Sequence, residues 1–600
     1  MKNLFVIVCL FVQVSLGLAQ EVVTNPVLNK KLKTANAQLR VANLDTLGLP
    51  FVDDFSNSFL QPDVAKWTDR SVYVNRDLAF HPVTLGVATF DGLNAQGRAY
   101  DNSSPTAYGK ADELTSQAIN LAGKLLSDSL YLSFWIQPQG NGDAPELRDS
   151  FVVQFFDSAA QWQTVYKRNG GQLDTFRLVM LPMNQLKWLH AGFRFRMINY
   201  ASLTGLVDLW HVDYVFLDEN RSLFDTTIND VAFRDKPTTI LNEYQEMPYS
   251  QYLADTSRFK RLLHGARAVN LNTAKNTSFN FLAKDVAHQT TIFNSTPFSI
   301  TFPANSTFLF ESPSFGISYP TTDSFTIQLE YRLNTTPDAL PVNDTVRRTT
   351  NLWNHYAYDD GSAENGYGLN VLAGQIAYKF RLSEPDTLRG IWMYFVESSE
   401  RVSNELFNLR IWQYLPEGQL GGSEILLVDQ SLLSPEYSDS LERFVYYALE
   451  SPIAVSDSFY VGWQQGTNKL LNIGLDRSNN ANSKMFYNVD GFWNASTISG
   501  AWMIRPVVGK ALRWPTSVQN IKPLQVKLYP NPATDVVMLD FEDFNINWTV
   551  YSLTGHVLLK GVASDKNAIL NVSSLSNGIY LMKFEGQQGI QTYKKFIIQK

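Results

Sequence analysis

Val526-Lys527-Leu528-Tyr529-Pro530-Asn531-Pro532-Ala533 opens a stretch near the end of the 600-residue chain in which strands and turns can be read from residue type. Pro530 and Pro532 fix φ and remove backbone donors, so this is an extended entry segment and not the middle of a helix. Thr554-Gly555 and Asn577-Gly578 are hairpin-type turns, since Gly and Asn both tolerate positive φ. The runs Trp548-Thr549-Val550-Tyr551 and Ile579-Tyr580-Leu581-Met582-Lys583-Phe584 are β-branched and aromatic, as strands prefer. On strand pattern alone the stretch is an ordinary immunoglobulin-like sandwich.

Four separated motifs add to that pattern. They are Tyr529-Pro530-Asn531-Pro532, Val550-Tyr551-Ser552-Leu553-Thr554-Gly555, Leu575-Ser576-Asn577-Gly578-Ile579-Tyr580 and Lys594-Lys595-Phe596-Ile597-Ile598. Their order and spacing resemble the type A C-terminal sorting domain of the type IX secretion system of Bacteroidetes-type bacteria. The resemblance covers residues 524–600 and implies a small β-sandwich, read at the outer membrane and usually cleaved after export. The sorting motif falls on Tyr529, Pro530, Asn531, Pro532, Gly555, Gly578, Tyr580, Lys594 and Lys595. It implies the type IX machinery as partner and the cell surface or medium as destination. It does not reach the activity of the passenger.

The other end agrees. Met1-Lys2-Asn3, an apolar run from Leu4 to Leu18 and the small-x-small ending Gly17-Leu18-Ala19 before Gln20 describe a secretory signal peptide, residues 1–19. Its core is too short for a typical membrane span. Cys9, the only cysteine, lies inside that run with apolar sequence after it, a poor position for a lipoprotein cysteine. The mature chain is therefore expected to lack disulfides, thiolate metal sites and cysteine nucleophiles. No other apolar run approaches 18 residues, so no transmembrane segment is expected in the mature chain.

Net charge is −7, with both signs dispersed and no basic tract, which argues against nucleic-acid or anionic-membrane partners. Aromatic residues make up 13% and charged residues 18%, in short alternating runs punctuated by Gly, Asn, Pro and Asp. The expected class is all-β and multidomain. After a polar lead-in segment at residues 20–49, a jelly-roll-like sandwich is expected over residues 50–220. Its strand candidates are Gly86–Phe90, Leu130–Ile136, Phe151–Phe156, Phe176–Leu181, Phe193–Ile198 and Val207–Leu217. This module loosely resembles adhesion modules of the MAM and lectin jelly-roll type. A middle immunoglobulin-like region, residues 221–345, follows, with a short helix within Leu241–Leu253. A second jelly-roll-like sandwich is expected over residues 350–512.

Catalytic signals are missing: there is no His-Glu-x-x-His, Gly-x-Ser-x-Gly, phosphate loop or dinucleotide fingerprint. The seven histidines are scattered. A glycosidase would need paired carboxylates across a cleft. In a regular strand Asp208 and Asp213, five apart, fall on opposite faces, so they do not make that pair. No catalytic residue is assigned. The acidic loop Asp359-Asp360-Gly361-Ser362-Ala363-Glu364 gathers Asp359, Asp360 and Glu364 around a Gly turn, suited to structural calcium. Asp53, Asp54 and Asp213 form a second calcium candidate if first and last strands of the module are neighbours. In both, turn capping by the aspartates is the competing reading. Trp493, set among polar and Gly residues, is the candidate platform for carbohydrate or another surface ligand. The leading functional expectation is a non-enzymatic binding, adhesive or structural passenger. The alternative is a glycan-active hydrolase with an unrecognised carboxylate pair.

Overall fold

The computed structural model describes residues 21–35, 46–286, 288–313, 315–317, 324–418, 422–438, 444–510, 526–541, 546–552, 557–563, 567–585 and 591–600. Residues 1–19, expected as a signal peptide and containing Cys9, and the Thr554-Gly555 turn lie outside them. The protein is all-β, built of antiparallel sheets, and among the described residues helix is confined to short pieces such as Lys30–Ala35, Tyr249–Ala254 and Thr256–Phe259. The chain forms two compact units, residues 1–510 and 511–600.

The first unit begins with a two-sheet sandwich. One sheet runs Tyr73–Asn75, Val87–Phe90, Trp210–Asp218, Tyr131–Pro138, Arg177–Pro182, with Phe51–Asp53 also paired to Trp210–Asp218. The other runs Tyr108–Thr115, Phe195–Ser202, Ser150–Phe156, Trp162–Asn169. Alternation decides which side chains face inward: Phe151, Val153 and Phe155 enter the core with Phe195 and Met197, while Gln154 points out. Phe51, Trp67 and Phe195 meet edge-on, with ring centroids 5.2–5.6 Å apart. The six strand candidates of this module all coincide with observed strands. Tyr108–Thr115 and Trp162–Asn169 were not anticipated.

Residues 231–508 share one hydrophobic core that includes Phe233, Tyr244, Tyr331, Tyr356, Phe380, Trp463 and Trp502. The middle region and the second sandwich, expected as separate stretches, are thus packed on each other. Tyr244, beside the short helix Tyr249–Ala254, lies 4.8 Å from the Tyr356 ring and 4.7 Å from that of Tyr358. Its hydroxyl donates to the Arg381 carbonyl at 3.1 Å.

The segment read as a lead-in contributes structure. Glu21–Thr24 is a strand paired antiparallel with Asn365–Leu369, with Glu21 opposite Leu369. Lys30 bonds the Ser438 carbonyl at 2.8 Å and pairs with Glu397 at 2.8 Å, and Leu32 is fully buried.

The second unit is a small sandwich. Val526–Tyr529, Val536–Phe541 and Asn567–Asn571 form one sheet; Val557–Ala563, Ile546–Tyr551, Gly578–Glu585 and Gln591–Ile598 form the other. Between them lie Val537, Leu539, Val550, Met582, Phe584 and Phe596.

Candidate functional site

The tail motifs converge in space. Asn531, after the strand Val526–Tyr529, accepts from the Ile597 amide at 2.8 Å and donates to the Lys595 carbonyl at 3.4 Å. Ala533 bonds Ile597 and Gln599 through its backbone at 2.8 Å each. The Tyr-Pro-Asn-Pro segment is thereby tied to the last strand, which carries Lys594 and Lys595. Gly578 starts the neighbouring strand, where Tyr580 donates to the Ser576 carbonyl at 2.7 Å and packs on Phe596. Pro530 and Pro532 deny that entry segment two ladder donors, so side-chain and neighbouring amides make the connection.

In the passenger, the four-stranded sheet of the first sandwich carries an open groove of about 370 Å³, lined by Tyr108, Arg148, Gln154, Thr164, Lys167 and Tyr200 together with Ser150 and Val152. Strand alternation places the strand residues among these opposite the core, and Arg148 joins them from the loop before Ser150. Arg148 lies over the Tyr108 ring, 4.9 Å from its centroid, and Tyr108 donates to the Arg148 carbonyl at 3.0 Å. Beside them Arg196 is sandwiched against Trp162 at 4.2 Å and bonds Gln154 at 2.8 Å and Glu113 at 3.0 Å. The groove presents flat rings next to fixed donors and acceptors.

Arg148 belongs to the loop that also carries Asp143, Glu146 and Asp149. One carboxylate oxygen each from Glu146, Asp149 and Asp208 lies within 4.8 Å of the others. Burial, then the nearby Asp208 charge, pushes the Asp149 carboxyl up to about 7. Asp208 and Asp143 are also raised, chiefly by burial. The face-counting expectation for Asp208 and Asp213 rested on a regular strand, and the strand is not regular. It begins at Trp210; Asp208 sits before it at φ +55° and Tyr214 within it at φ +47°, and the pairing slips between Asp213 and Phe216.

Each anticipated site residue has a definite place. Asp53 accepts from Trp67 Nε1 at 2.7 Å and Lys66 at 3.0 Å. Asp213 accepts from the Thr84 amide and hydroxyl at 2.7 and 2.9 Å, and burial raises its pKa well above the carboxylate range. Asp54 accepts from Ser56 and from Asn343 Nδ2 at 2.9 Å; that amide also donates to Asp230, which takes the Tyr214 hydroxyl at 2.9 Å. In the second loop, Asp359 takes a two-pronged grip from Arg505, with Nη2 at 2.5 Å and Nε at 3.1 Å. Asp360 bonds Ser362 at 2.6 Å and Lys236 at 3.1 Å; against the upward push of burial, the Lys236 ammonium holds its carboxyl low. Glu364 accepts from Ser362 at 3.0 Å and the Arg477 amide at 2.7 Å, and is raised to about 8 by burial and the Asp360 charge. Trp493 is 3% exposed, edge-on to Trp412 at 5.3 Å, and donates to Glu424 at 3.1 Å. Sequence reasoning missed the groove and the Glu146–Asp149–Asp208 convergence. The only local signal was the acid-rich loop Asp143-Ala144-Pro145-Glu146-Leu147-Arg148-Asp149.

Residues 527–599 match the family of secretion system C-terminal sorting domains. The tail is a type A sorting domain, and the chain that bears it is a cargo of the type IX secretion system, addressed to the cell surface or beyond. No curated protein matches the chain. Among solved structures, it is similar to a calcium-binding mutant of Bacteroides uniformis β-glucuronidase 2 at 11% identity and a TM-score of 0.19, over 45% of this chain and 29% of that one. It is similar to the Endo-D glycoside hydrolase domain of Streptococcus pneumoniae R6 at 11% identity and a TM-score of 0.20, over 51% of this chain and 43% of that one. A trypsin-activated α2-macroglobulin of Escherichia coli overlaps 89% of this chain and 37% of its own at 9% identity and a TM-score of 0.15. The chain spans less than half the length of each, and overlaps this loose carry nothing about the passenger's activity. Among the described residues, no helix is long and apolar enough to cross a membrane.

Proposed function

We propose that the passenger is a non-enzymatic binding module, and that the groove on the outer face of the four-stranded sheet holds a hydroxyl-rich, carbohydrate-like ligand. The observation that carries this reading is the composition of the groove: two tyrosine rings set among Arg148, Gln154, Thr164 and Lys167. Rings accept the apolar face of a sugar while amide, hydroxyl and cationic groups fix its hydroxyls, and about 300–1,000 Å³ is the usual size of such a cleft. A hydrolase would need two carboxylates facing each other across the cleft, about 5–10 Å apart. Among the described residues, the groove lining contains no carboxylate.

A glycan array probed with the mature chain tests this. Binding is expected, with the glycan recovered intact. Tyr200→Ala should weaken it about two- to tenfold, since one ring contact is worth about 0.5–1.5 kcal/mol. A chain that binds no glycan, or a Tyr108→Ala/Tyr200→Ala variant that binds as well as the parent, would overturn the reading. Cleavage of a bound glycan would restore the hydrolase alternative.

A further inference from the structure

The loop before the strand Ser150–Phe156 and the residues before the strand Trp210–Asp218 bring acids together from positions about sixty residues apart, as the Asp149–Asp208 juxtaposition shows. Oxygens bound to one calcium ion at about 2.3–2.6 Å can stand no more than about 4.6–5.2 Å apart. The three oxygens of Glu146, Asp149 and Asp208, all within 4.8 Å of each other, already fit inside one such sphere.

A second observation is independent of that clustering. The Asp149 side chain is wholly buried (0% exposed). Its Oδ2 accepts from the Glu146 amide at 2.5 Å, but among the described residues no hydrogen-bond donor reaches Oδ1. The nearest cation is Arg148, with Nε 3.7 Å from Oδ1 and Nη2 3.8 Å from Glu146, both beyond hydrogen-bond range. A buried carboxylate oxygen left without a donor is costly unless something else occupies it. Asp143 adds a fourth acid, accepting weakly from the Asp208 amide at 3.4 Å. Of these four carboxyls, Glu146 and Asp149 have the half-exposed Arg148 within 4 Å, while Asp208 Oδ2 accepts from the Ser202 amide at 2.7 Å.

We propose that Glu146, Asp149 and Asp208 bind a divalent cation of the calcium class. These are hard oxygen donors on a loop, and water together with second carboxylate oxygens can complete the six to eight ligands that calcium takes. The loop is held in place by Gly170, where a Cβ would fall 1.9 Å from the Glu146 carbonyl oxygen. A bound ion would take over neutralisation of the cluster and leave Arg148 to the groove, where it stacks on Tyr108.

The test is calorimetric titration of the chelator-treated mature chain with calcium, repeated with magnesium, in the absence of glycan so that the result is independent of the groove's ligand. One saturable calcium site is expected, weakened at least about tenfold by Glu146→Gln or Asp149→Asn, because affinity follows the number of charged ligands. Glu146→Gln is the decisive variant, since that side chain is 58% exposed and its replacement is expected to leave the fold intact. Asp429→Asn, on the edge strand Ile425–Leu433, should change nothing. Absence of calcium binding, or calcium binding that Glu146→Gln leaves unchanged, would overturn the proposal. Saturable binding of magnesium alone would overturn the calcium assignment.

Discussion

Tyr367 donates its hydroxyl to the carboxylate of Glu21 at 2.7 Å, across 346 residues of chain. Next to it Thr24 donates to Asn472 Oδ1 at 2.7 Å. The strand Glu21–Thr24 is thus the outer member of a sheet continued by Asn365–Leu369, Ile473–Asp476 and Ala501–Trp502. It pairs an edge that would otherwise present bare amides and carbonyls to solvent.

Breaking that link should be measurable. Tyr367→Phe and Glu21→Ala are each expected to destabilise the first unit by about 1 kcal/mol in urea unfolding, the usual worth of one hydrogen bond. The double variant should cost no more than the larger single one. Fully additive losses would mean the bond contributes nothing.

Among the described residues, Arg505 is the cation that grips Asp359, and it also lies 3.4 Å from Glu246. Arg505→Met strands a buried carboxylate and should cost about 3–5 kcal/mol, as removal of one member of a buried pair does. Asp359→Asn in the same chain should recover part of the loss. Equal stability of Arg505→Met and the parent in urea would show that Asp359 is neutral in the native state.

Stability should depend on pH in two directions. Burial raises Asp149 and Asp112 to about 7 and Asp344 to about 8. Their folded values exceed the unfolded ones, so the folded state holds protons that the unfolded chain releases, and that stabilisation, full below about 4, is lost progressively as pH rises from about 4 to about 7 or 8. His211 and His264, lowered to about 4 by burial, act oppositely: their contribution is present above about 6.5 and lost as pH falls toward 4. From about pH 4 to 6.5 the acids and the histidines oppose one another, and above about 6.5 only the acids still act, so the melting temperature in chelator should fall most clearly between about pH 6.5 and 8. Calcium should lift the alkaline side alone, and Glu146→Gln should abolish that lift. Calcium that raised the melting temperature equally at pH 5 and pH 8 would point to a site not competing with protons.

A chain ending at Arg513 keeps the first unit and lacks the sorting tail. It should stay inside the cell envelope, absent from surface and medium by immunoblot. The parent's secreted form should be lighter by about the tail's mass in intact mass spectrometry. Surface display of the truncated chain would show that a second export signal exists.

Legibility of the fold followed the sidedness of each strand. Phe151–Phe156 and Leu130–Ile136 stand out because burial demands apolar residues at alternate or consecutive positions. Tyr108–Thr115 and Trp162–Asn169 did not, because their outward residues, among them Lys110, Glu113, Thr164 and Lys167, line or flank the groove and dilute the apolar signal. The same polarity that hid these strands makes their face a candidate binding surface. Glu21–Thr24 was invisible for another reason: four residues are too few to show a period, and its partner lies beyond residue 360.

Sequence alone determined the β class and the sorting tail. Both rest on residue type, local alternation or motifs within one short stretch. Only the tertiary structure decided that residues 231–508 share a core, that the residue-21 strand closes a sheet, and that Asp149 and Asp208 face each other. Those relationships depend on which strands pair over hundreds of residues and on bulges such as the one after Asp213, and no local periodicity encodes either.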